Sequence, residues 1–386
     1  YEGENAEPYD DVGYIDAVLD AVAAGFPIDT ARIYGHGNSS GDKMLTRYVM
    51  ERGERFAAVF LDSGMPQPNC LFDREGRLRH QPRHPVAVIR NHGSLDRITP
   101  YSAPAMRDPL QQQLLKVELD AWPNIRLWLE INECPETPEI ALYGIYNILF
   151  YHGRQADLVY YSVYGGAHSI TLGESEMVWR EFLRGFRREN GHCVFDPAVC
   201  GMQPDQNTVA LAEGAEYAYV NNRKVKICGA LTFRELSADM VYASSSCTSH
   251  TVGYLPLTAL KDIWPDLQVE QSPDGRSCRI NWDGHTLEAS YGQWCVLKDG
   301  LFHSTYPIDY DGQLEALMLP IGVTAWILGG YYSTEMFHTI YLTKRAGCYI
   351  TLDTAYILQL VLGARKAPHP SELYAMACDA YTAERG

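Results

Sequence analysis

The chain has 386 residues, a length that favours two or three domains over one small module. Hydrophobic residues make up 46% of it and charged residues 21%, a composition that excludes an intrinsically disordered chain. With 32 Lys and Arg residues against 48 Asp and Glu residues, the formal net charge is -16, so we expect no general electrostatic attraction to nucleic acid or anionic lipid.

The first half of the chain alternates between strand-like and helix-like patterns. Apolar residues at helical spacing predict a helix over residues 11–24, and a second helical pattern over residues 42–52 follows a short apolar run and a Gly/Ser cluster. Continuous apolar runs of strand length come next, at residues 56–61, 85–91 and 157–164, with helices expected over residues 111–122 and 174–186. Strands that alternate with helices predict a mainly parallel sheet covered on both faces.

After about residue 190 the pattern changes to short alternating strands. They are separated by Asp-Gly pairs, which favour hairpin turns: Asp274-Gly275, Asp283-Gly284, Asp299-Gly300 and Asp311-Gly312. This segment is also repeated in outline, because Gly253-Tyr-Leu-Pro-Leu257 recurs as Leu317-Met-Leu-Pro-Ile321. We expect a pair of antiparallel β modules with a short helix after each Pro.

These patterns predict four segments: a domain over residues 1–190, a linker over 191–207, tandem β modules over 208–362, and a C-terminal tail or helix over 363–386. The most apolar stretch, residues 316–332, is interrupted by Pro and Gly and is shorter than a membrane helix, so we expect no membrane span. The 10 cysteines form no C-x-x-C pair. They are compatible with disulfides in an exported protein and equally with scattered buried thiols.

One short motif points to chemistry. Gly37-Asn38-Ser39-Ser40-Gly41 matches the nucleophile-elbow pattern G-x-S-x-G and lies between a predicted strand and a predicted helix. The serine of such a turn has a strained backbone, and we expect glycine at both flanks because a side chain there would clash with the strand or the helix. The alternative is a Gly/Ser-rich loop that matches the pattern by chance.

A nucleophilic serine needs a base to accept its proton and an acid to orient that base. The predicted strand 85–91 is followed by Asp96, and the predicted strand 157–164 is followed by Gly-Gly-Ala and His168. The carboxyl ends of parallel strands meet at one edge of a sheet. We therefore predict that Ser39, Asp96 and His168 form a catalytic triad at this edge.

Two alternatives and one supporting group belong to this prediction. Asp62, at the end of the preceding predicted strand, is the alternative acid, and His92 is the weaker candidate for the base. The backbone N–H of Ser40 is the predicted donor to the negative oxygen that forms during acyl transfer.

Further motifs accompany the elbow. They are Asp11-Val-Gly-Tyr14, Pro27-Ile-Asp29 before Arg32-Ile-Tyr34, Phe56-Ala-Ala58, His92-Gly93 with Asp96, Trp128 with Asn132 and Cys134, and Gly165-Gly166-Ala167-His168. With them, residues 10–187 resemble the polyhydroxybutyrate depolymerase and feruloyl esterase group of α/β-hydrolases. The resemblance implies catalytic roles for Ser39, Asp96 and His168. Family members typically have Gly where this chain has Asp42 and Ala167, so details of the substrate pocket do not transfer.

Hydrolases of this group have a β-rich section before the first helix predicted here, and one of its loops supplies the second oxyanion-hole donor. No such strands are predicted before Asp11. We therefore expect that the sequence starts partway into the domain and that the second donor is not in this chain, which makes a separate N-terminal segment a candidate partner. The less favoured alternative is a circular permutation in which residues 323–332 supply the missing strand.

The second half also contains recognisable motifs. They are Val220-Asn-Asn222, Leu255-Pro-Leu257-Thr-Ala-Leu260, Trp282-Asp-Gly284 and Leu319-Pro-Ile321. With them, residues 208–362 resemble bacterial modules related to the N-terminal domain of copper amine oxidases. The resemblance implies a non-catalytic appendage that does not itself bind copper. Its Trp and Tyr residues are compatible with a carbohydrate or cell-wall contact, although a buried aromatic core is the more frequent explanation.

The predicted fold class is α/β: an α/β-hydrolase fold whose N-terminal strands are missing from this chain, plus a C-terminal α+β region of repeated antiparallel β modules. The predicted function is a secreted or cell-surface serine esterase, without cofactor or metal, that acts through an acyl-enzyme. The resemblance implies feruloyl or acetyl polysaccharide esters or hydroxyalkanoate-type polyesters as substrates, and the sequence does not choose between them. The alternatives are a serine peptidase of the prolyl-oligopeptidase type and a non-catalytic surface or binding protein with a hydrolase-like scaffold.

Overall fold

The computed structural model describes residues 9–64, 82, 84–96, 98–99, 121–168, 172–200, 207–236, 251–333 and 338–364. The helices are α1 (Asp11–Gly25), α2 (Ser40–Arg52), α3 (Ala121–Ile131), α4 (Leu172–Glu181), α5 (Leu257–Ile263), α6 (Ile321–Leu328) and α7 (Leu352–Leu362). The strands before residue 200 are β1 (Tyr34–Asn38), β2 (Ala58–Asp62), β3 (Ala87–Gly93), β4 (Glu139–Tyr143), β5 (Tyr146–Tyr151), β6 (Leu158–Val163), β7 (Phe186–Glu189) and β8 (His192–Phe195).

The later strands are β9 (Val209–Ala212), β10 (Tyr217–Val220), β11 (Arg223–Lys226), β12 (Thr232–Glu235), β13 (Thr251–Pro256), β14 (Gln268–Gln271), β15 (Ser277–Trp282), β16 (His285–Ser290), β17 (Cys295–Lys298), β18 (Leu301–Ser304), β19 (Asp309–Asp311), β20 (Ala316–Pro320), β21 (Tyr331–Tyr332) and β22 (Thr339–Thr343). Short 3-10 helices lie at Gly53–Arg55, Leu183–Gly185 and Pro197–Val199.

A six-stranded sheet with the order β1-β2-β3-β6-β5-β4 forms the centre of the first half. Strands β1, β2, β3 and β6 are parallel and correspond to the strands predicted from the apolar runs. Strands β4 and β5 form an antiparallel hairpin that continues the sheet beyond β6, with Gly144 at a positive φ of 59° in the turn. The sequence patterns did not indicate this hairpin.

Both faces of the six-stranded sheet are covered. In β2, Val59 and Leu61 enter one apolar core, whereas Ala58 and Phe60 enter the other. The first core includes residues of α1, α2, α3 and α7, and the second includes residues of α4. Because β2 is buried on both sides, its sequence is a continuous apolar run rather than an alternating one.

Of the predicted helices in this half, those at residues 11–24, 42–52 and 174–186 overlap α1, α2 and α4. Most of the predicted helix over residues 111–122 lies outside the described residues. Among the described strands, β1 is an edge strand of the six-stranded sheet.

The strands after residue 207 are antiparallel and form three further sheets, with the orders β11-β10-β9-β22-β21, β12-β13-β20-β19 and β14-β15-β16-β17-β18. Three of the predicted Asp-Gly pairs lie in the turn between two paired strands, and the fourth, Asp311-Gly312, begins at the last residue of β19. In the two-residue turn at Asp283 and Gly284, both residues have positive φ, 46° and 81°, which is the conformation that an Asp-Gly hairpin turn requires.

The predicted repeat is two strand–helix units that pair with each other. Strands β13 and β20 are antiparallel neighbours, with Leu255 opposite Leu319. Each strand ends in a Pro that precedes a short helix, α5 or α6, as predicted. Residues 323–332 belong to α6 and to β21, which is part of another sheet, so the circular-permutation alternative is wrong.

The two halves share one apolar core. It contains residues of the six-stranded sheet, such as Leu158, together with residues from the second half, such as Tyr341 of β22 and Leu358 of α7. The predicted linker over residues 191–207 includes β8, which pairs with β7. Only residues 363 and 364 of the predicted tail over 363–386 are described.

Among the helices that the structure describes, none is both long and apolar enough to span a membrane. The described cysteines are all free thiols: Cys134, Cys193, Cys200, Cys228, Cys278, Cys295 and Cys348.

Candidate active site

Ser39 lies at the turn between β1 and α2. Its backbone has φ 53° and ψ -111°, a conformation that costs a non-glycine residue about 1–3 kcal/mol and is concentrated at functional sites. The Ser39 N–H donates to the carbonyl of Asp62 at 2.8 Å, which ties the turn to the end of β2. Neighbouring contacts therefore hold the serine in its strained conformation, at the carboxyl end of the parallel strands.

The two glycines of the elbow differ in their surroundings. A Cβ atom at Gly37 would lie 2.3 Å from the carbonyl oxygen of Gly41, so no side chain fits there. A Cβ atom at Gly41 would meet nothing within 4 Å. The prediction that glycine is needed at both flanks is therefore correct for Gly37 and wrong for Gly41, because the chain after Ser39 turns away from the sheet into α2.

The structure brings the three predicted triad residues together. Nε2 of His168 lies 2.8 Å from Oγ of Ser39, and Nδ1 of His168 lies 2.8 Å from Oδ2 of Asp96. The side chain of Asp96 is fully buried, and that of His168 is 16% exposed. With Nδ1–H donating to the carboxylate, the lone pair of Nε2 faces the serine hydroxyl, which is the arrangement a general base needs.

The loops that hold Asp96 and His168 are joined by backbone contacts. Ser94 N–H donates to the carbonyl of Val163 at 3.0 Å, and Leu95 N–H donates to that of Gly166 at 2.8 Å. A Cβ atom at Gly93 would lie 2.4 Å from the carbonyl oxygen of Ala167, so the close approach of the two loops requires glycine. Because β3 and β6 are parallel neighbours, these loops leave the sheet side by side.

Asp96 is oriented by the residues that follow it. Its Oδ1 accepts hydrogen bonds from the N–H groups of Ile98 at 2.8 Å and Thr99 at 2.9 Å. The hydroxyl of Thr99 lies 2.7 Å from Oδ2 of Asp96 and 2.6 Å from the carbonyl of Ser63. These contacts fix the carboxylate with Oδ2 towards His168.

The structure does not bring the alternative acid to the histidine. Asp62 is fully buried and accepts hydrogen bonds from the side chains of Asn38 at 2.6 Å and Ser63 at 2.8 Å. The histidine near Asp62 is His36, at 3.7 Å. Asp62 therefore stabilises the end of β1, whereas Asp96 contacts His168.

His92, the weaker candidate for the base, does not contact Ser39 through either ring nitrogen. Its Nδ1 faces Oδ2 of Asp353 at 3.2 Å, and its Nε2 faces the carbonyl of Thr99 at 3.0 Å. His92 therefore contacts the loop that carries Asp96 and Thr99.

Ser40 is the first residue of α2, where a backbone N–H has no acceptor within the helix. The same helix end has the positive pole of the helix dipole, which favours a developing negative charge. This placement is compatible with the predicted oxyanion role. The role of Ser40, and the expectation that the second donor lies outside this chain, remain predictions.

A buried ion pair between α2 and β3 lies next to the elbow. Arg90 of β3 lies 3.3 Å from Oδ2 of Asp42 in α2, and both side chains are almost completely buried. The same carboxylate accepts from Gly64 N–H at 2.9 Å and from the hydroxyl of Thr46 at 3.0 Å, while Arg90 also donates to the carbonyl of Gly64. Burial raises the pKa of Asp42, and the charge of Arg90 opposes that effect.

A separate cavity of about 540 Å³ is lined by the β4–β5 hairpin and by β8, and Ser39, Asp96 and His168 are not among its lining residues. Within the described ranges, no group of three or more His, Cys, Asp or Glu side chains is arranged to hold a metal ion.

The sequence patterns missed three supporting groups: Arg90, Thr99 and Asp353. Arg90 had a detectable signal, since a charged residue inside a continuous apolar strand needs a buried partner. Thr99 and Asp353 had none, because a threonine in a loop and an acid in the first turn of a helix are ordinary at the surface.

No protein-family model and no curated protein matches the chain. Among solved structures, an acetyl xylan esterase from Aspergillus awamori is a distant neighbour, with 15% sequence identity and a TM-score of 0.31. The alignment covers 44% of this chain and 66% of that chain, just under two thirds of its length. A TM-score this low supports no argument from that structure, so the chemistry proposed below is based on the geometry of the site.

Proposed function

We propose that this protein is a serine carboxylic-ester hydrolase whose catalytic domain has the α/β-hydrolase fold. The observation that supports this most strongly is the alignment of the Ser39 hydroxyl, the His168 ring and the Asp96 carboxylate through two contacts of 2.8 Å. Nucleophile, base and orienting acid come from three different loops at one edge of the parallel strands, and the serine is in a strained turn. A scaffold without catalytic activity has no need for this combination.

In the proposed mechanism, Oγ of Ser39 attacks the ester carbonyl while Nε2 of His168 accepts the hydroxyl proton. Asp96 stabilises the imidazolium, and the N–H of Ser40 donates to the negative oxygen of the tetrahedral intermediate. The ester C–O bond then breaks, His168 protonates the leaving alcohol, and the acyl group remains on Ser39. Water, deprotonated by His168, attacks the acyl-enzyme and releases the carboxylic acid and the free serine.

The proposed substrates are feruloyl or acetyl esters of polysaccharides, or hydroxyalkanoate-type polyesters, and the proposed location is outside the cell or at its surface. The support for both is the motif resemblance of residues 10–187. We further propose that the C-terminal β modules are non-catalytic.

The test is the hydrolysis of p-nitrophenyl acetate and butyrate by the wild-type protein, by Ser39→Ala and by Ser290→Ala, which removes an exposed serine hydroxyl from β16. We expect Ser39→Ala to lose about 10⁴-fold or more in kcat/KM, and Ser290→Ala to match the wild type. Equal rates in all three proteins, with folding verified by circular dichroism, would refute the esterase proposal. A positive result leads to the same comparison on feruloyl, acetyl-xylan and polyester substrates.

A further inference from the structure

A single buried acid of the second half reaches the edge of the sheet where Ser39 lies. Among the described residues after position 206, Asp353 is the one charged side chain that is buried. It lies in the first turn of α7, after the N-cap residue Thr351. Its Oδ2 faces Nδ1 of His92 at 3.2 Å and accepts a hydrogen bond from the hydroxyl of Tyr160 in β6.

His92 links this acid to the loop of Asp96. Its second ring nitrogen, Nε2, faces the carbonyl oxygen of Thr99 at 3.0 Å. A carboxylate and a carbonyl oxygen can only accept, so both contacts are hydrogen bonds only when both ring nitrogens have a proton. The geometry therefore favours His92 as an imidazolium.

The charges around His92 agree with that state. Burial lowers the pKa of His92, but the hydrogen bond and charge of Asp353, the carbonyl of Thr99 and the charge of Asp96 together raise it by more. The pKa of His92 in the folded protein therefore lies above its ordinary value of 6.5. The hydroxyl of Tyr160 donates to the same carboxylate oxygen that faces His92.

Thr99 completes the connection to the triad. Its carbonyl accepts from His92, its N–H donates to Oδ1 of Asp96 at 2.9 Å, and its hydroxyl lies 2.7 Å from Oδ2 of Asp96. Every side chain on this path is buried. A shift of Thr99 would therefore move the carboxylate that orients His168.

We propose that Asp353 and His92 are positioning residues of the candidate active site: helix α7 of the C-terminal region fixes Thr99 through His92, and thereby holds Asp96 in the orientation that His168 requires. This inference rests on the proposed esterase function. It assigns α7 a part in positioning Asp96, without any contact to the substrate. Displacements of about 1 Å at such positions reduce rates by about 10²-fold.

The kinetic test compares three variants. His92→Gln removes one of two oppositely directed donors, and Asp353→Asn removes the charge that stabilises the imidazolium. Thr324→Val is the matched control, because it removes a buried hydroxyl of α6 that lies outside this path. We expect kcat on p-nitrophenyl acetate to fall about 10- to 100-fold in the first two variants, with KM nearly unchanged. Thr324→Val keeps the wild-type kcat, even where its thermal midpoint falls as much as that of the other variants. A kcat that is the same in all three variants overturns the inference.

A spectroscopic test needs no activity. In wild-type protein labelled with ¹⁵N-histidine, and with the His92 signals assigned by their loss in His92→Gln, we expect a proton on both ring nitrogens of His92 at neutral pH. The Nδ1 proton resonance of His168 should shift in both His92→Gln and Asp353→Asn, and stay in place in Thr324→Val. A single N–H on His92 at neutral pH overturns the inference, even if Asp353→Asn does not fold.

The two proposals fail in different ways. If wild type and Ser39→Ala hydrolyse esters at the same rate, the esterase function is wrong, whereas the histidine spectra still report whether α7 positions Asp96. If the wild type is active and Ser39→Ala is not, but His92→Gln and Asp353→Asn keep the wild-type kcat, only the positioning inference is wrong.

Discussion

Two His–Asp pairs of nearly equal length lie in the two halves of the molecule. In the first half, His168 and Asp96 are 2.8 Å apart, and in the second half, His285 and Asp299 are 2.9 Å apart. The side chain of Asp96 is fully buried and His168 also contacts Ser39, whereas His285 and Asp299 are 53% and 41% exposed. A short His–Asp distance is therefore not enough to propose a catalytic site. The proposal for His168 rests also on the burial of Asp96 and on Ser39 at the second ring nitrogen.

The two halves of the molecule also differ in where their charged side chains lie. The first half buries Asp42, Asp62, Arg90, Asp96 and Glu174 near the carboxyl ends of its parallel strands, and it also buries Glu181 at the end of α4. In the second half, the antiparallel sheets form their ion pairs at the surface, as Arg279 and Glu288 do. A buried charge is costly unless it is paired, so its concentration at one edge indicates where a fold has a function beyond stability.

The largest expected effect is a difference in activity between variants of His168 and His285. We predict that His168→Gln reduces kcat/KM on p-nitrophenyl acetate by about 10⁴-fold or more, because the Ser39 hydroxyl loses its base. His285→Gln should keep wild-type activity. Comparable losses in both variants would break the distinction between the two pairs.

The next comparison concerns the acids. Asp96→Asn should reduce kcat by about 10³- to 10⁴-fold, because an asparagine does not stabilise the His168 imidazolium and favours the wrong tautomer. Asp62→Asn should reduce kcat far less, since the contacts of Asp62 are with Asn38 and Ser63. Steady-state kinetics of both variants decide the matter, and a greater loss in Asp62→Asn would make Asp62 the catalytic acid.

A stability measurement sharpens the contrast in buried charge. Arg90→Met leaves the carboxylate of Asp42 buried without its cation, and we expect it to lower the free energy of unfolding by about 3–5 kcal/mol. The double variant Arg90→Met with Asp42→Leu should recover much of this loss, because neither charge remains. Urea denaturation of both variants provides the test. A single variant as stable as the wild type would show that the pair contributes nothing.

The pH dependence of His92 is expected to be smaller. Burial lowers its pKa, but Asp353, the carbonyl of Thr99 and Asp96 together raise it by more, to a value above the ordinary 6.5. A raised pKa in the folded state adds stability that is fully present below the ordinary value and is lost as the pH rises through the folded-state value. The free energy of unfolding should therefore fall on going from mildly acidic to mildly alkaline pH, and Asp353→Asn should flatten that fall. An identical slope in the variant would contradict this assignment.

The smallest effect is expected at the exposed pair. The N–H of Thr286 and the side chain of His285 lower the pKa of Asp299 below its ordinary 3.8. The sign is opposite to that of His92: this contribution is present above the ordinary value and is lost as the pH falls through the folded-state value. Asp299→Asn should lower the thermal midpoint slightly at neutral pH and not at all in strong acid, because solvent screens the pair. A difference that grows on acidification would contradict the sign.

Local patterns in the sequence predicted much of the architecture. Continuous apolar runs predicted β2, β3 and β6 because each is buried on both faces. Asp-Gly pairs predicted hairpins, and at Asp283-Gly284 and Asp299-Gly300 both turn residues adopt positive φ. The β4–β5 hairpin was missed, since its turn residues Gly144 and Ile145 are not one of the strong hairpin pairs.

The residues of the candidate site also differ in whether the local sequence could predict them. Ser39, Asp96 and His168 each follow a strand of the parallel sheet, so strand ends and chain order were sufficient to propose them. The choice of Asp96 over Asp62 depends on a loop that folds back through Thr99, a geometry with no local signal. The contact between His92 and Asp353 joins residues 261 positions apart, and it exists only because α7 packs on the sheet of the other half.

The most direct test of the central claim is to locate the adduct of a fluorophosphonate probe by peptide mass spectrometry on the intact chain. We predict that the wild-type protein is labelled at Ser39 and that labelling is lost in His168→Gln, because the probe reacts only with a serine that its base has activated. A folded wild-type protein that is not labelled, or that is labelled at another serine with Ser39 unmodified, would contradict the assignment of Ser39 as the nucleophile.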